Sequence, residues 1–262
     1  MHRPALQTIT WGDPQHERFD AIFATAKAAG FAGLEIGFRR LGQVPAEVAA
    51  ELLDKHGLTL TASHIGGNLA DTGQASQERA ELDRAIDYLD TLGVKYLMYS
   101  GLNEPDDHEL DRQIDALNEA AKRCADRGVR LLYHNHNWEF LDNRRIFDRL
   151  LNVADPSLGF GPDLGWAAKA GADLTALLNE LGDRIGLIHL KDYLEAERGG
   201  MSTVYFGQGL MDFQPVWDWL KTSKQQDLWV TAEQDTANDP DEAASHNGRF
   251  LIEHLSRIGE DS

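Results

Sequence analysis

Two histidines and a glutamate follow directly on an apolar segment in the middle of the chain. The segment RLLYHNHNWEF spans residues 130–140, in which β-favouring residues precede His134 and His136, and Glu139 comes shortly after. Imidazole and carboxylate groups bind divalent metals and also transfer protons. The pattern predicts a buried strand that ends in metal-binding or catalytic side chains. Two histidines two positions apart on a strand point the same way, so they could instead be hydrogen-bonded polar residues of the core.

Three later apolar segments each end in one further residue of a metal-binding type. These residues are Asp163, His189 and Glu233. The carboxyl ends of parallel strands meet at one rim of a barrel, so these side chains are expected to converge. The set contains imidazole and carboxylate but no thiolate, which suits Mn²⁺, Mg²⁺, Co²⁺ or Zn²⁺. The sequence therefore favours a site for one divalent metal ion.

Short apolar segments alternate with longer amphipathic segments along the whole chain, and glycine closes several of the latter. This alternation is typical of βα units. Strands are predicted over residues 6–11, 33–38, 58–65, 96–100, 131–133, 158–163, 185–190 and 228–233. Helices are predicted over residues 16–29, 45–56, 76–92, 106–127, 144–152, 174–181, 216–221 and 240–258, with a long loop over 191–211.

These eight units, with no linker or change of composition between them, predict a (β/α)8 TIM barrel that forms a single domain over residues 1–262. The alternative is an open α/β sheet or a two-domain chain. It is disfavoured because TWGDPQ follows the first predicted strand, where a dinucleotide-binding sheet carries a glycine-rich motif.

Several predicted strand ends carry a polar or aromatic residue that could contact a substrate. They are Trp11, Glu35, His64, His134 and Lys191. Each also has a structural alternative. His64 could be a core imidazole, and Glu35 could be a salt-bridge partner at the opposite end of the barrel. Lys191 could form a solvated pair with Asp192, and Trp11 could be ordinary packing.

Composition and charge limit the classes of function. The chain has 43 acidic and 25 basic residues, a formal charge of -18, which disfavours a nucleic-acid partner. Its single cysteine, Cys124, cannot form an internal disulfide, so we expect a reducing cytoplasm. The first residues, MHRPALQTITW, lack the apolar core of a signal peptide, and no apolar stretch is long enough to span a membrane.

Five segments carry a family resemblance that covers nearly the whole chain. The segments YHNHNWEF, PDLGW followed by AGAD, RIGLIHLKD, GQGLMDF and VTAEQD resemble the sugar phosphate isomerase/epimerase family of xylose isomerase-like barrels. That family also includes inosose dehydratase-like and 3-keto-sugar-processing enzymes. The resemblance implies one divalent metal ion bound by residues on strands five to eight. By this resemblance the metal-binding residues are Glu139, Asp163, His189 and Glu233.

The chain departs from the family pattern at two positions. In the epimerase branch the first metal-binding glutamate lies on strand five itself, where this chain has Tyr133 and His134. Trp166 stands where related enzymes often carry a substrate-contacting histidine. An indole at this position suggests that Trp166 stacks on a sugar ring.

The resulting hypothesis is a metal-dependent isomerase or epimerase that removes the proton next to the carbonyl of a keto-sugar, with the metal stabilising an enediolate. Of the four predicted metal ligands, Glu139 and Glu233 are also the predicted proton shuttles on opposite faces of the substrate, and His136 or His64 is the alternative base. A lyase acting on a keto-inositol or 3-keto-glycoside, a non-catalytic sugar-binding barrel and an abasic-site endonuclease are the alternatives. The expected partner is a small sugar or keto-polyol, and the oligomeric state stays open, with a homodimer as one option.

Overall fold

Eight parallel strands form the central barrel of the protein. The computed structural model describes residues 1–71, 73–103, 106–195 and 201–260. The barrel strands are β1 (Arg3–Gln7), β2 (Gly33–Gly37), β3 (Thr59–Gly66), β4 (Tyr96–Ser100), β5 (Arg130–Tyr133), β6 (Gly159–Phe160), β7 (Leu187–Leu190) and β10 (Trp229–Ala232). Between β7 and β10 the chain forms a separate two-stranded ribbon of β8 (Asp192–Glu195) and β9 (Met201–Val204).

Hydrogen bonding links these strands in the order β6-β5-β4-β3-β2-β1-β10-β7. The two end strands of this sheet, β6 and β7, are joined by parallel bridges of Phe160 to Ile185 and of Asp163 to His189. The sheet therefore curves round until its first and last strands meet, which confirms the predicted TIM barrel.

The helices pack outside the barrel, and Gly57 and Asp239 cap two of them. The helices are α1 (Phe19–Ala28), α2 (Phe38–Leu41), α3 (Ala46–His56), α4 (Ala75–Thr91), α5 (Asp107–Ala125), α6 (Leu141–Val153), α7 (Leu164–Lys169), α8 (Leu174–Leu181), α9 (Gln214–Thr222) and α10 (Pro240–Glu260). Gly57 ends α3 in the left-handed conformation, which glycine adopts without steric cost. Asp239 accepts backbone N–H groups of Asp241 and Glu242 and so caps α10. Among the described residues, no helix is long and apolar enough to cross a membrane.

Several predicted segments differ from the structure in their bounds, and two of these differences change the interpretation of a segment. The first strand ends at Gln7 rather than at residue 11, because the Gln7 side chain accepts the N–H of Ile9 and turns Thr8–Trp11 into a 3-10 helix. The predicted loop over 191–211 contains the antiparallel ribbon of β8 and β9. Residues 196–200 of that loop lie outside the described part of the chain.

The barrel interior changes from apolar to polar along the strands. Its lower part holds one apolar cluster of Ala5, Ala62, Met98, Leu132, Leu187 and Trp229. Side chains two positions apart on a strand point the same way, so Leu132 and Leu187 are followed on the inner face by His134 and His189. The apolar layer thus forms a floor, and the ionisable residues lie above it at the carboxyl ends of the strands.

Candidate metal centre and active site

Four buried side chains from neighbouring strand ends converge above the apolar floor. They are His134 after β5, Asp163 after β6, His189 on β7 and Glu233 after β10. One potential ligand atom of each lies within 4.8 Å of those of the other three. Among the described residues, these four side chains form the group of His, Asp and Glu residues that is close enough to bind one metal ion, and we call it the ligand cluster.

His189 is held between two carboxylates, Glu233 after the neighbouring strand β10 and Glu35 on β2. Its Nδ1 lies 2.6 Å from Glu233 Oε2, and its Nε2 lies 2.7 Å from Glu35 Oε2. Burial alone would lower the pKa of His189, but the two carboxylates raise it to about 10. A carboxylate on the outer nitrogen commonly fixes the orientation of a metal-binding histidine. Glu35 can fill this role, which leaves Nδ1 facing the ligand cluster.

The environments of His134 and Asp163 fit a bound cation. Burial holds the pKa of His134 well below its usual range, so the imidazole is neutral and its nitrogen can bind a metal. Asp163 Oδ2 is buried, accepts no hydrogen bond and lies 3.8 Å from His134 Nε2. Two imidazoles and two carboxylates form a donor set for a divalent transition metal. The described residues therefore fit the metal that the family resemblance implies.

Lys191 adds a positive charge to the same region. Its side chain is 1% exposed, and Nζ lies 3.4 Å from Asp163 Oδ2, 3.3 Å from Glu233 Oε1 and 3.0 Å from Asp235 Oδ1. The neighbouring carboxylates overcome the effect of burial and raise the pKa of Lys191 above its usual range. The alternative of a solvated pair with Asp192 is therefore wrong, because Lys191 is a buried cation of the site.

A cavity of about 540 Å³ opens beside the ligand cluster at the carboxyl ends of the strands. Its walls include the predicted contact residues His64, His134, Trp166 and Lys191, together with His136 and Glu233. The rings of His64 and His136 both pack against the ring of His134, with centroids 5.1 and 5.4 Å from it. Basic, acidic and aromatic groups thus face one space of a size suited to a small molecule.

His136 is held rigidly at the wall of this cavity. Its ring stacks on Trp138 at 4.1 Å and 8°, and the indole N–H of Trp138 donates to the carbonyl of Leu102. Burial and the charge of Lys191 lower the pKa of His136 to about 4. The imidazole is therefore neutral at neutral pH and can accept a proton.

The structure does not place Glu139 in the ligand cluster or on the cavity wall. This residue lies in a 3-10 helix after β5, where its carboxylate accepts the Tyr133 hydroxyl at 2.7 Å and the His136 backbone N–H at 2.9 Å. The position predicted for Glu139 is taken by His134, which follows β5 directly. The predicted roles of Glu139 as metal ligand and proton shuttle are corrected accordingly: it holds the segment that carries His136.

Two predicted substrate contacts also lie away from the cavity wall. Trp11 is displaced by the early end of β1, and its indole N–H donates to Asp241 Oδ1 at 2.8 Å. Glu35 is fully buried and contacts His189 and His64. The expectation of direct substrate contact is corrected for both: Trp11 is a packing residue, and Glu35 supports the ligand cluster.

Two further residues organise the site: Asn135, for which the sequence predicted no role, and Asp192, which the sequence suggested as a partner of Lys191. The side-chain amide of Asn135 donates to the Asp163 carbonyl at 2.9 Å and accepts the Asp163 N–H at 3.1 Å. Asp192 accepts four backbone N–H groups, from Tyr193, Gly207, Gly209 and Met211. The signal for Asp192 was the pair of glycines in GQG, since a Cβ at Gly209 would lie 2.2 Å from Asp192 Oδ1.

The family model described as xylose isomerase-like TIM barrel matches residues 23–254. The chain belongs to this family, as the resemblance predicted.

Relatives and solved structures extend the comparison. The inosose dehydratase of Geobacillus kaustophilus (strain HTA426) is 28% identical over 276 residues, which cover 90% of this chain and 88% of that protein. The structure of L-ribulose 3-epimerase matches with a TM-score of 0.80 at 19% identity, over 100% of this chain and 97% of the other. The IOLI protein, solved with a binding zinc atom, matches with a TM-score of 0.79 at 18% identity, over 98% of this chain and 99% of the other. The structural matches establish the fold, and the prediction of an enzyme of this superfamily is confirmed.

Proposed function

We propose that the protein is a divalent-metal-dependent lyase that acts on a small polyhydroxylated ketone and eliminates the group on the β-carbon, which is water from a keto-inositol and the aglycone alcohol from a 3-keto-glycoside. The observation that carries this proposal is the cavity that brings together the neutral imidazole of His136, the ammonium of Lys191 and the edge of the ligand cluster. Removal of a proton next to a carbonyl needs a base and positive charge near the carbonyl oxygen. The similarity to inosose dehydratases supports loss of water over isomerisation as the outcome.

The residues of the cavity can perform an elimination without any further reactant. His136 takes the proton from the carbon next to the carbonyl, and the electrons of that C–H bond form a carbon–carbon double bond. The C–O bond at the β-carbon breaks, and His64, which also lines the cavity, gives the departing oxygen a proton, so that water leaves a keto-inositol and the aglycone alcohol leaves a 3-keto-glycoside. Lys191 donates a hydrogen bond to a substrate oxygen, and Trp166 packs against the ring.

We propose that His134, Asp163, His189 and Glu233 hold one divalent ion at the ligand cluster. Such an ion supplies a Lewis acid that stabilises negative charge on the carbonyl oxygen of the substrate. Two imidazole ligands favour Mn²⁺, Co²⁺ or Zn²⁺ over Mg²⁺, which prefers oxygen. Equilibrium dialysis of the metal-free protein against each ion, followed by elemental analysis, measures the preference.

The test of the proposed reaction uses metal-loaded protein, an inosose and a 3-keto-glycoside, with product analysis by NMR in D₂O. We expect an unsaturated ketone or its diketone tautomer as the product, and deuterium at the carbon next to the carbonyl in recovered substrate. Recovery of an isomer or epimer, without elimination from either substrate, would replace the lyase by the isomerase or epimerase. Absence of both exchange and product would leave a sugar-binding barrel as the better description.

A matched pair of variants tests the base. His136→Asn should lose about 100- to 10,000-fold in turnover, the usual contribution of a general base. The control is His108→Asn, which makes the same substitution at an exposed position of α5 and should turn over like the wild type. Equal activity of the His136→Asn variant would move the base to His64 or Glu233.

We also propose that residues 1–262 form a single domain, that the protein is cytoplasmic and that it forms a homodimer. Size-exclusion chromatography with light scattering measures the last of these directly.

A further inference from the structure

The ammonium of Lys191 uses the same carboxylates as the ligand cluster. Nζ lies 3.4 Å from Asp163 Oδ2 and 3.3 Å from Glu233 Oε1, and both residues belong to that cluster. Asp163 Oδ2 accepts no hydrogen bond, so it is the oxygen left for a cation. The chain therefore brings a positive charge of its own to the oxygen atoms that a divalent ion would need.

Asp235 gives this ammonium a third carboxylate partner. Its Oδ1 is the nearest of the three carboxylate oxygens to Nζ, at 3.0 Å, and accepts a hydrogen bond from it. Asp235 is not a member of the ligand cluster, and its side chain is 35% exposed where those of Asp163 and Glu233 are almost fully buried. The ammonium thus lies between two carboxylates that can bind metal and one at the edge of the cavity.

We propose that Lys191 is a built-in competitor of the divalent metal, and that Asp235 is the positioning residue that draws its ammonium away from Asp163 and Glu233. The inference rests on the proposed function, because it takes the ligand cluster to be the metal site. In the metal-free protein Lys191 balances the buried carboxylates, and metal binding shifts its ammonium toward Asp235. The metal site is consequently folded in the metal-free protein. It binds the metal less tightly than the same four ligands would without Lys191.

The physical basis is the cost of buried charge. Buried carboxylates without a cation destabilise the folded state strongly, so Lys191 stabilises the metal-free protein. The same ammonium repels a divalent ion that binds to the same two carboxylates. Removing Lys191 should therefore tighten metal binding, while neutralising Asp235 should weaken it by leaving the ammonium on Asp163 and Glu233. The two variants are expected to change the affinity in opposite directions.

The experiment is a calorimetric titration of the metal-free full chain with Mn²⁺. Lys191→Met should bind at least about tenfold more tightly than the wild type, and Asp235→Asn about tenfold more weakly. In the double variant, Asp235→Asn should change the affinity by less than about threefold, because no ammonium is left to position. Lys169→Met is the matched control: it removes a mostly buried lysine that pairs with Glu195 outside the cluster, and should leave the affinity unchanged.

A second readout is the thermal stability of the same proteins. Metal-free Lys191→Met should melt below the wild type and should recover in excess Mn²⁺, because a ligand that binds the folded state stabilises it. If Lys191→Met does not fold without metal, the Mn²⁺ affinity of Asp235→Asn tests the proposal instead. Unchanged or tighter Mn²⁺ binding in that variant overturns the proposal.

Other outcomes separate this inference from the proposed function. If the wild type binds Mn²⁺ and Lys191→Met binds it equally or more weakly, Lys191 is not a competitor and only this inference fails. If Asp235→Asn weakens binding equally in the presence and absence of Lys191, Asp235 acts through its own charge and the positioning role is wrong. If the wild type binds no divalent ion, the proposed metal function and this inference fail together.

Discussion

Replacing Glu35 should weaken metal binding although this residue does not belong to the ligand cluster. Glu35 Oε2 lies 2.7 Å from His189 Nε2, and both side chains are completely buried. The carboxylate fixes the imidazole so that Nδ1 faces the other ligands, and it increases the basicity of the ring. We therefore expect Glu35→Gln and Glu35→Ala to lower the affinity for the metal in different degrees.

The magnitude follows from what each substitution leaves at the imidazole nitrogen. Loss of such a supporting partner typically costs 10- to 100-fold in metal affinity, or about 1.4 to 2.7 kcal/mol. The amide oxygen of glutamine can still accept the hydrogen bond, so Glu35→Gln should lie near tenfold. Glu35→Ala leaves the Nε2–H group buried and unpaired, so it should approach 100-fold.

The assay is competition of the metal-free protein with a chromophoric chelator for Mn²⁺ or Zn²⁺. Glu139→Gln is the matched control, since Glu139 is also completely buried but accepts its hydrogen bonds from Tyr133 and His136. Its affinity should stay within about twofold of the wild type. Unchanged affinity in Glu35→Gln together with a large loss in Glu139→Gln would refute the reasoning and return Glu139 to the metal site.

Three further predictions concern stability and the positioning of the base. In the metal-free protein two carboxylates raise the pKa of His189 from 6.5 to about 10 despite burial. The protonated imidazole therefore stabilises the folded state fully below pH 6.5, and this stabilisation is lost as the pH rises toward 10. Urea titrations should give a lower free energy of unfolding at pH 9.5 than at pH 6.5. An equally large decrease in Glu35→Gln would contradict a role of the Glu35 carboxylate in this pH dependence. Trp138→Leu removes the ring that stacks on His136 and should lower kcat about 10- to 100-fold with unchanged metal affinity. Trp138→Phe should restore most of the kcat. Loss of metal in either variant would show that Trp138 has a merely structural role. Asp192→Ala leaves four backbone N–H groups without their acceptor and should lower the free energy of unfolding by at least about 3 kcal/mol in urea titrations, whereas a loss below about 1 kcal/mol would mean that water replaces the carboxylate.

Local patterns in the sequence were sufficient for the barrel and for three of the four members of the ligand cluster. The alternation of strand and helix depends on side chains a few residues apart, and it places Asp163, His189 and Glu233 at strand ends irrespective of the exact packing. The closure of the sheet confirms what the count of eight units predicted.

The tertiary structure decided the roles of residues whose partners are distant in the chain. Glu35 and His189 are 154 positions apart, and only the closed barrel brings their side chains into contact. The choice of His134 over Glu139 depended on where β5 ends and on the 3-10 helix that turns Glu139 toward Tyr133.

The burial of Lys191 was decided in the same way, because the carboxylates that balance its charge come from three separate positions in the sequence. Local periodicity determines which face of a strand a residue occupies. The partners across the barrel determine whether that residue binds a metal, supports a ligand or balances a charge, and these partners are set only when the sheet closes.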